Sequence, residues 1–221
     1  MVGAMGSAEW DEARFRASIP AAKESVELAA RFYTVGPTLP EWESQRPVVD
    51  LVFYLARLDY DLKVLLLHFL ADPDNRTVWE RYLALELHEG LQTVPQAISR
   101  ARREIAKPST ASRLSLARFD AAAGEYRWAV KAIREDVEFY ETLTTVRNGV
   151  AAHHGMRRGA GMEVGIAWTL SAWNLTESGN TPFQSKFGEY AVKFGRAIQD
   201  FGSSVVGDGE PPGSTHPGTG T

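Results

Sequence analysis

From Val48 to Leu70 the apolar residues recur at three- and four-residue steps: Leu51, Tyr54, Leu55, Leu58, Leu62, Leu65, Leu66 and Phe69. That spacing follows the α-helical period of 3.6 and lays the side chains along one stripe. A stripe of this length has to be covered by other elements, and the remaining segments repeat its period. Residues 8 to 34 cluster Val26, Leu28, Ala29, Phe32 and Tyr33 on one side. From Thr77, residues Trp79, Tyr82, Leu83, Leu85, Leu87 and Leu91 form another apolar side. From 109–112 onward, Leu116, Phe119, Ala123, Tyr126, Val130, Ile133, Val137, Tyr140, Leu143 and Val146 keep helical step. Phe183, Phe187, Tyr190, Ala191, Phe194, Ile198 and Phe201 do so near the end. The expected fold is an all-α bundle of four to five helices with one long helix.

Local punctuation sets the expected boundaries. Ile19-Pro20 interrupts or starts the first helix, and "GPTLPEWESQRP" at 36–47 reads as a loop. Asp72-Pro73-Asp74-Asn75 stops the second helix. Thr77 with Glu80 three residues on has the form of a capping box, and Pro95 is expected to kink or divide the helix that follows. The pattern from Leu116 to Val146 reads as one long or mildly bent rod, about 45 Å at 1.5 Å per residue. Glycines, β-branched residues and two tryptophans near 162–176 suggest a short β-hairpin or a lid. Residues 207–221 are rich in Gly, Pro, Ser and Thr and are expected to be disordered. "GAMGS" within residues 1–7 looks like an expression-vector remnant, which leaves 8–206 as a single domain.

Composition narrows the function classes. The chain has 221 residues, 24 basic against 28 acidic, and a net charge of −4. It lacks the overall basic excess of a protein that coats nucleic acid, although a local basic face stays open. There is no cysteine, hence no thiolate metal site, no disulfide and no cysteine nucleophile. No apolar run reaches the roughly 18 residues needed to span a bilayer. These features fit a cytoplasmic protein without a membrane association.

The stretch "RNGVAAHHG" at 147–155 concentrates chemistry at the end of the long helical pattern. Two of the five histidines, His153 and His154, follow Arg147 and Asn148. In a regular helix Arg147 and His154 share a face, with His153 about 120° away. Asn148-Gly149 is turn-prone and can alter that geometry. An arginine forks onto phosphate, and a histidine moves protons near neutral pH. Those groups can cleave RNA without a metal: a base activates the 2′-hydroxyl while a cation stabilises charge building on phosphate. The plainer reading is a polar helix terminus whose cation offsets the helix dipole.

"RNGVAAHH" resembles the signature of the HEPN superfamily, the higher eukaryotes and prokaryotes nucleotide-binding domains. That signature is an arginine, a polar neighbour, and a histidine after four to six residues. Arg147 and Asn148 match the first two; His153 and His154 match with five and six residues between. Ala152 before the histidine is similar to abortive-infection members. The resemblance implies an all-α bundle and a metal-independent endoribonuclease with no cofactor, its site formed across a homodimer. It also implies RNA as partner, and a role in phage defence or a toxin system with an antitoxin or other defence protein. Gly155 and Met156 stand where some toxins of the superfamily carry a modifiable tyrosine, so control by that route is not expected. Inactive relatives imply a second reading, a dimeric RNA- or nucleotide-binding or scaffold module. Two motifs facing one open cleft favour cleavage, whereas Arg147 locked in an internal ion pair favours binding or structure.

Further candidates sit outside the motif. Arg100, Arg102, Arg103, Lys107, Arg113 and Arg118, with Arg157 and Arg158, form a track for RNA phosphates or simply a solvated helix face. The track gains meaning only beside Arg147. A third reading is a metal-dependent bundle enzyme using His68, His88 and His153 or His154 with Glu86 or Glu89, but no His-x-x-x-His or Glu-x-x-His pair is present. No metal is expected. Trp168, Trp173, Phe187, Tyr190 and Phe194 are able to stack bases, yet aromatics at helical spacing more often build core.

Overall fold

The computed structural model describes residues 12–40, 42–107, 115–147 and 182–206. These form six helices: α1 (Glu12–Val35), α2 (Trp42–Ala71), α3 (Arg76–Ile105), α4 (Leu116–Glu135), α5 (Val137–Val146) and α6 (Pro182–Val206). No strand occurs among the described residues, so the all-α expectation holds there. The expected hairpin or lid at 162–176, the tail at 207–221 and residues 1–7 lie outside them.

The stripe on α2 does what its period requires. Leu51, Leu55, Leu58, Leu62, Leu66 and Phe69 are all buried, facing a core that includes Leu83, Leu87, Leu91, Val94 and Ile98 of α3. α6 closes the core against α2 and α4: Phe187 meets Phe69 at 6.2 Å, and Phe201 meets Phe119 at 5.9 Å and Tyr126 at 5.7 Å. Phe187 and Phe194 are therefore core residues rather than base platforms. Among the described helices α1 packs on α2 alone. Its Leu28, Phe32 and Val35, with Leu39 just beyond, stay about half exposed.

Several boundaries differ from the sequence expectation. Ile19-Pro20 neither starts nor interrupts α1, which runs from Glu12 to Val35 with Pro20 inside it. α2 begins at Trp42 and contains Pro47, so the loop expected over 36–47 is shorter. Trp42 anchors that early start. Its indole stacks edge-on to Tyr33 at 5.7 Å and lies on Gly36, where any β-carbon would overlap the ring. Tyr33 also donates to Asp50 and touches Phe53, tying α1 to the first turns of α2. Burial, together with the Asp50 carboxylate, pushes the Tyr33 phenol up to about 12. α3 starts at Arg76 with Asn75 as its cap residue, which puts Thr77 inside the first turn rather than at the N-cap. Pro95 does not divide α3, which runs to Ile105 with Val94 and Ile98 buried on either side of it. Packing holds the helix where its proline would weaken it.

The expected single rod is two helices. At Asp136 the backbone leaves the helical region, with φ −77° and ψ 85°. Its carboxylate accepts from the Phe139 N–H at 3.2 Å, capping α5. It also accepts from Lys186 Nζ at 2.7 Å and Tyr190 Oη at 2.9 Å, both on α6. The Lys186 hydrogen bond, helped by those from Tyr190 and the backbone, holds the Asp136 carboxyl below its usual range. Asp136→Ala is expected to cost about 1–2 kcal/mol, the scale of a lost N-cap. Because the folded-state pKa is depressed, this stabilisation is complete above the ordinary carboxylate value of 3.8 and is lost as pH falls through the folded value. Thermal melts between pH 7 and pH 2 should show the gap between the two proteins closing on acidification. A gap that widens would contradict this account.

Candidate functional site

Arg147 ends α5, and the buried Leu143 and Val146 fix that last turn in the core. From there its guanidinium reaches across to α3. Nε donates to Glu89 Oε1 at 2.8 Å and Nη2 lies 2.6 Å from the same oxygen. Both contacts use one carboxylate oxygen, so this is not the two-oxygen fork of the tightest arginine–carboxylate pairs. The two side chains are 33% and 37% exposed, and water screens the pair.

Gly90 places Glu89. A β-carbon at position 90 would sit 2.6 Å from Phe194 Cζ and 2.9 Å from Leu58 Cδ2. The absence of one lets α3 press close to α6 and α2 here, and the neighbouring Glu89 faces outward towards α5. His88, on the other side, is buried; its ring stacks on Tyr140 at 6.0 Å. Its Nε2 lies 3.3 Å from Gln92 Nε2, and Nδ1 has no hydrogen-bond partner among the described residues. Burial pushes the His88 imidazole below its usual range; Glu89 works against that shift and Arg147 adds to it. A neutral histidine thus lies behind the charged pair.

Of the motif, only Arg147 falls among the described residues; Asn148, His153 and His154 lie outside them, as do Arg113, Arg157, Arg158, Trp168 and Trp173. Arg102 forms a two-pronged pair with Asp120 of α4 at 2.7 and 2.9 Å, and Lys107 pairs with Glu104 at 2.8 Å. Arg100, Arg103 and Arg118 are exposed. Positions 100–103 stand 11 to 14 residues beyond Glu89 on the same helix, roughly 16–21 Å at 1.5 Å per residue. The basic segment and Arg147 therefore occupy separate parts of the bundle. His68 is an edge residue stacked on Trp79 at 4.5 Å. Tyr190 is occupied by Asp136. Among the described residues no three His, Asp or Glu side chains are grouped to hold a metal ion, and no helix is long and apolar enough to cross a membrane.

Sequence reasoning weighed Glu89 only as a metal ligand and missed it as the partner of Arg147. The signal was Gly90 in "ELHEG": a glycine inside an otherwise sound helix marks a close approach. Comparison with family models, curated proteins and solved structures yields no match for this chain.

Proposed function

We propose that this chain is a metal-independent endoribonuclease in which Arg147 holds the scissile phosphate. The reading also takes Asn148 to orient that phosphate or a histidine, and His153 or His154 to act as general base. The base removes the 2′-hydroxyl proton, and the oxygen attacks phosphorus. The bond to the 5′-oxygen breaks and that oxygen takes up a proton, from the histidine that is now protonated or from solvent. This leaves a 2′,3′-cyclic phosphate and a 5′-hydroxyl with no net consumption of water. The observation that carries the reading is the setting of Arg147: a rigid helix end, a partly exposed guanidinium, and a pairing that phosphate can displace. The pair is part-buried but one-third exposed, where water screens it in part, so Glu89 restrains Arg147 without enclosing it. A homodimer that brings two motif copies together, and a place in phage defence or a toxin system, belong to the same proposal and rest on the motif's resemblance alone.

The same ion pair favours a second reading. If Glu89 holds Arg147 against phosphate, the bundle is a non-cleaving RNA- or nucleotide-binding or scaffold module. Incubating RNA with the protein in EDTA separates the two. Cleavage that disappears in the His153→Ala/His154→Ala double variant is the expected result. Binding without cleavage supports the second reading, and cleavage that persists in the double variant sinks the first.

A further inference from the structure

A cavity of about 290 Å³ opens between α2 and α3. Its aliphatic wall is Val64, Leu65 and Leu85; Tyr60 and Tyr82 present aromatic rings, and Asp61 and Glu86 contribute carboxylates. We propose that this cavity binds a small organic cation, an ammonium or guanidinium group on a short aliphatic stem.

Three observations carry this. First, the described residues that line the cavity include two acids and no cation. Arg57, which also lies over the Tyr54 ring at 5.5 Å, is ion-paired with both acids, at 3.7 Å from Asp61 and 3.8 Å from Glu86, distances beyond hydrogen-bond length. Second, Glu86 Oε2 is buried and has no hydrogen-bond partner among the described residues, which is a costly state for a carboxylate. Burial raises both carboxyls above their usual range, with Arg57 only partly offsetting it, so a cation entering here gains from both. Third, the walls suit a cation with an apolar stem: tyrosine faces attract ammonium and guanidinium groups, and the aliphatic side covers methylenes. Anions meet two like charges, and a neutral apolar molecule leaves the carboxylates unmet. The volume is at the low end for small-molecule sites, which limits the ligand to about ten heavy atoms. Tyr82 is about half exposed and forms the entrance. The inference does not rest on ribonuclease activity.

The test is calorimetric titration of the full chain with agmatine, with 1-butanol as the uncharged comparison. Saturable one-site binding of agmatine near 0.1 mM, on the order of magnitude a ligand of this size reaches, is expected, with none for butanol. The Asp61→Asn/Glu86→Gln double variant should weaken it at least tenfold. Should that double variant lose its helical circular dichroism, Tyr82→Ala, at a half-exposed position, carries the test with a severalfold loss. No saturable heat up to about 10 mM, or an affinity unchanged in the variants that fold, overturns the proposal.

Discussion

Arg147→Ala is expected to lower RNA cleavage by two to three orders of magnitude while leaving the helical bundle intact. The size follows from removing a preorganised donor aimed at charge that develops on phosphate, which typically costs 10²–10³ in rate. The fold survives because the pair with Glu89 is one-third exposed and contributes about 1 kcal/mol or less. Leu143 and Val146 keep the last turn of α5 in the core whatever stands at 147. Glu89→Gln provides the complementary arm. The amide keeps the shape of the side chain and removes its charge, which weakens the hold of Glu89 on Arg147. RNA should then bind severalfold more tightly, with cleavage retained. Filter-binding and gel assays on the three proteins read both effects. If Glu89→Gln loses cleavage as completely as Arg147→Ala, Glu89 is a positioning residue rather than a competitor. If Arg147→Ala cleaves like the parent, the proposed role for this arginine is wrong.

Gly90→Ala is expected to destabilise the protein by about 1–3 kcal/mol, although alanine is the better helix former by nearly 1 kcal/mol. The new methyl would meet Phe194 Cζ at 2.6 Å, Phe194 Cε1 at 2.7 Å and Leu58 Cδ2 at 2.9 Å. Phe194 and Leu58 are fully buried, so neither can yield without disturbing the packing of α6 and α2. Gly124→Ala is the internal control. Nothing lies within 4 Å of a β-carbon there, and the same substitution should stabilise α4 by up to about 1 kcal/mol. Urea titrations of the two variants should move in opposite directions from the parent. Two shifts of the same sign would show that helix propensity, not the closeness of α3 to α6, decides both.

The bundle was legible in the sequence because its signal is local. Leu51, Leu55, Leu58 and Leu62 announce their helix through spacing alone, and all four are buried. The stop at Asp72–Asn75 was legible too, since α2 ends at Ala71, but two other boundaries were not, because they depend on partners distant along the chain. Asp136 interrupts an unbroken apolar period, and what holds the interruption open is Lys186 and Tyr190, 50 and 54 residues away. Trp42 starts α2 ahead of Pro47 because Gly36 leaves room for its indole. The same division runs through the site. Arg147 stood out as the head of a motif, whereas its partner Glu89 is 58 residues earlier and carried no local mark beyond the glycine beside it. The basic run at 100–107 shows the reverse: conspicuous in sequence, yet two of its members are spent on Asp120 and Glu104.

The central claim is phosphate chemistry by protein side chains, and the product ends test it most directly. A labelled single-stranded RNA should be incubated with the protein in EDTA and its fragments examined by mass spectrometry. The account predicts fragments ending in 2′,3′-cyclic phosphate, paired with 5′-hydroxyl ends, from the parent protein and not from Arg147→Ala. Fragments with 5′-phosphate ends, or the same cyclic products in equal yield from Arg147→Ala, would contradict it.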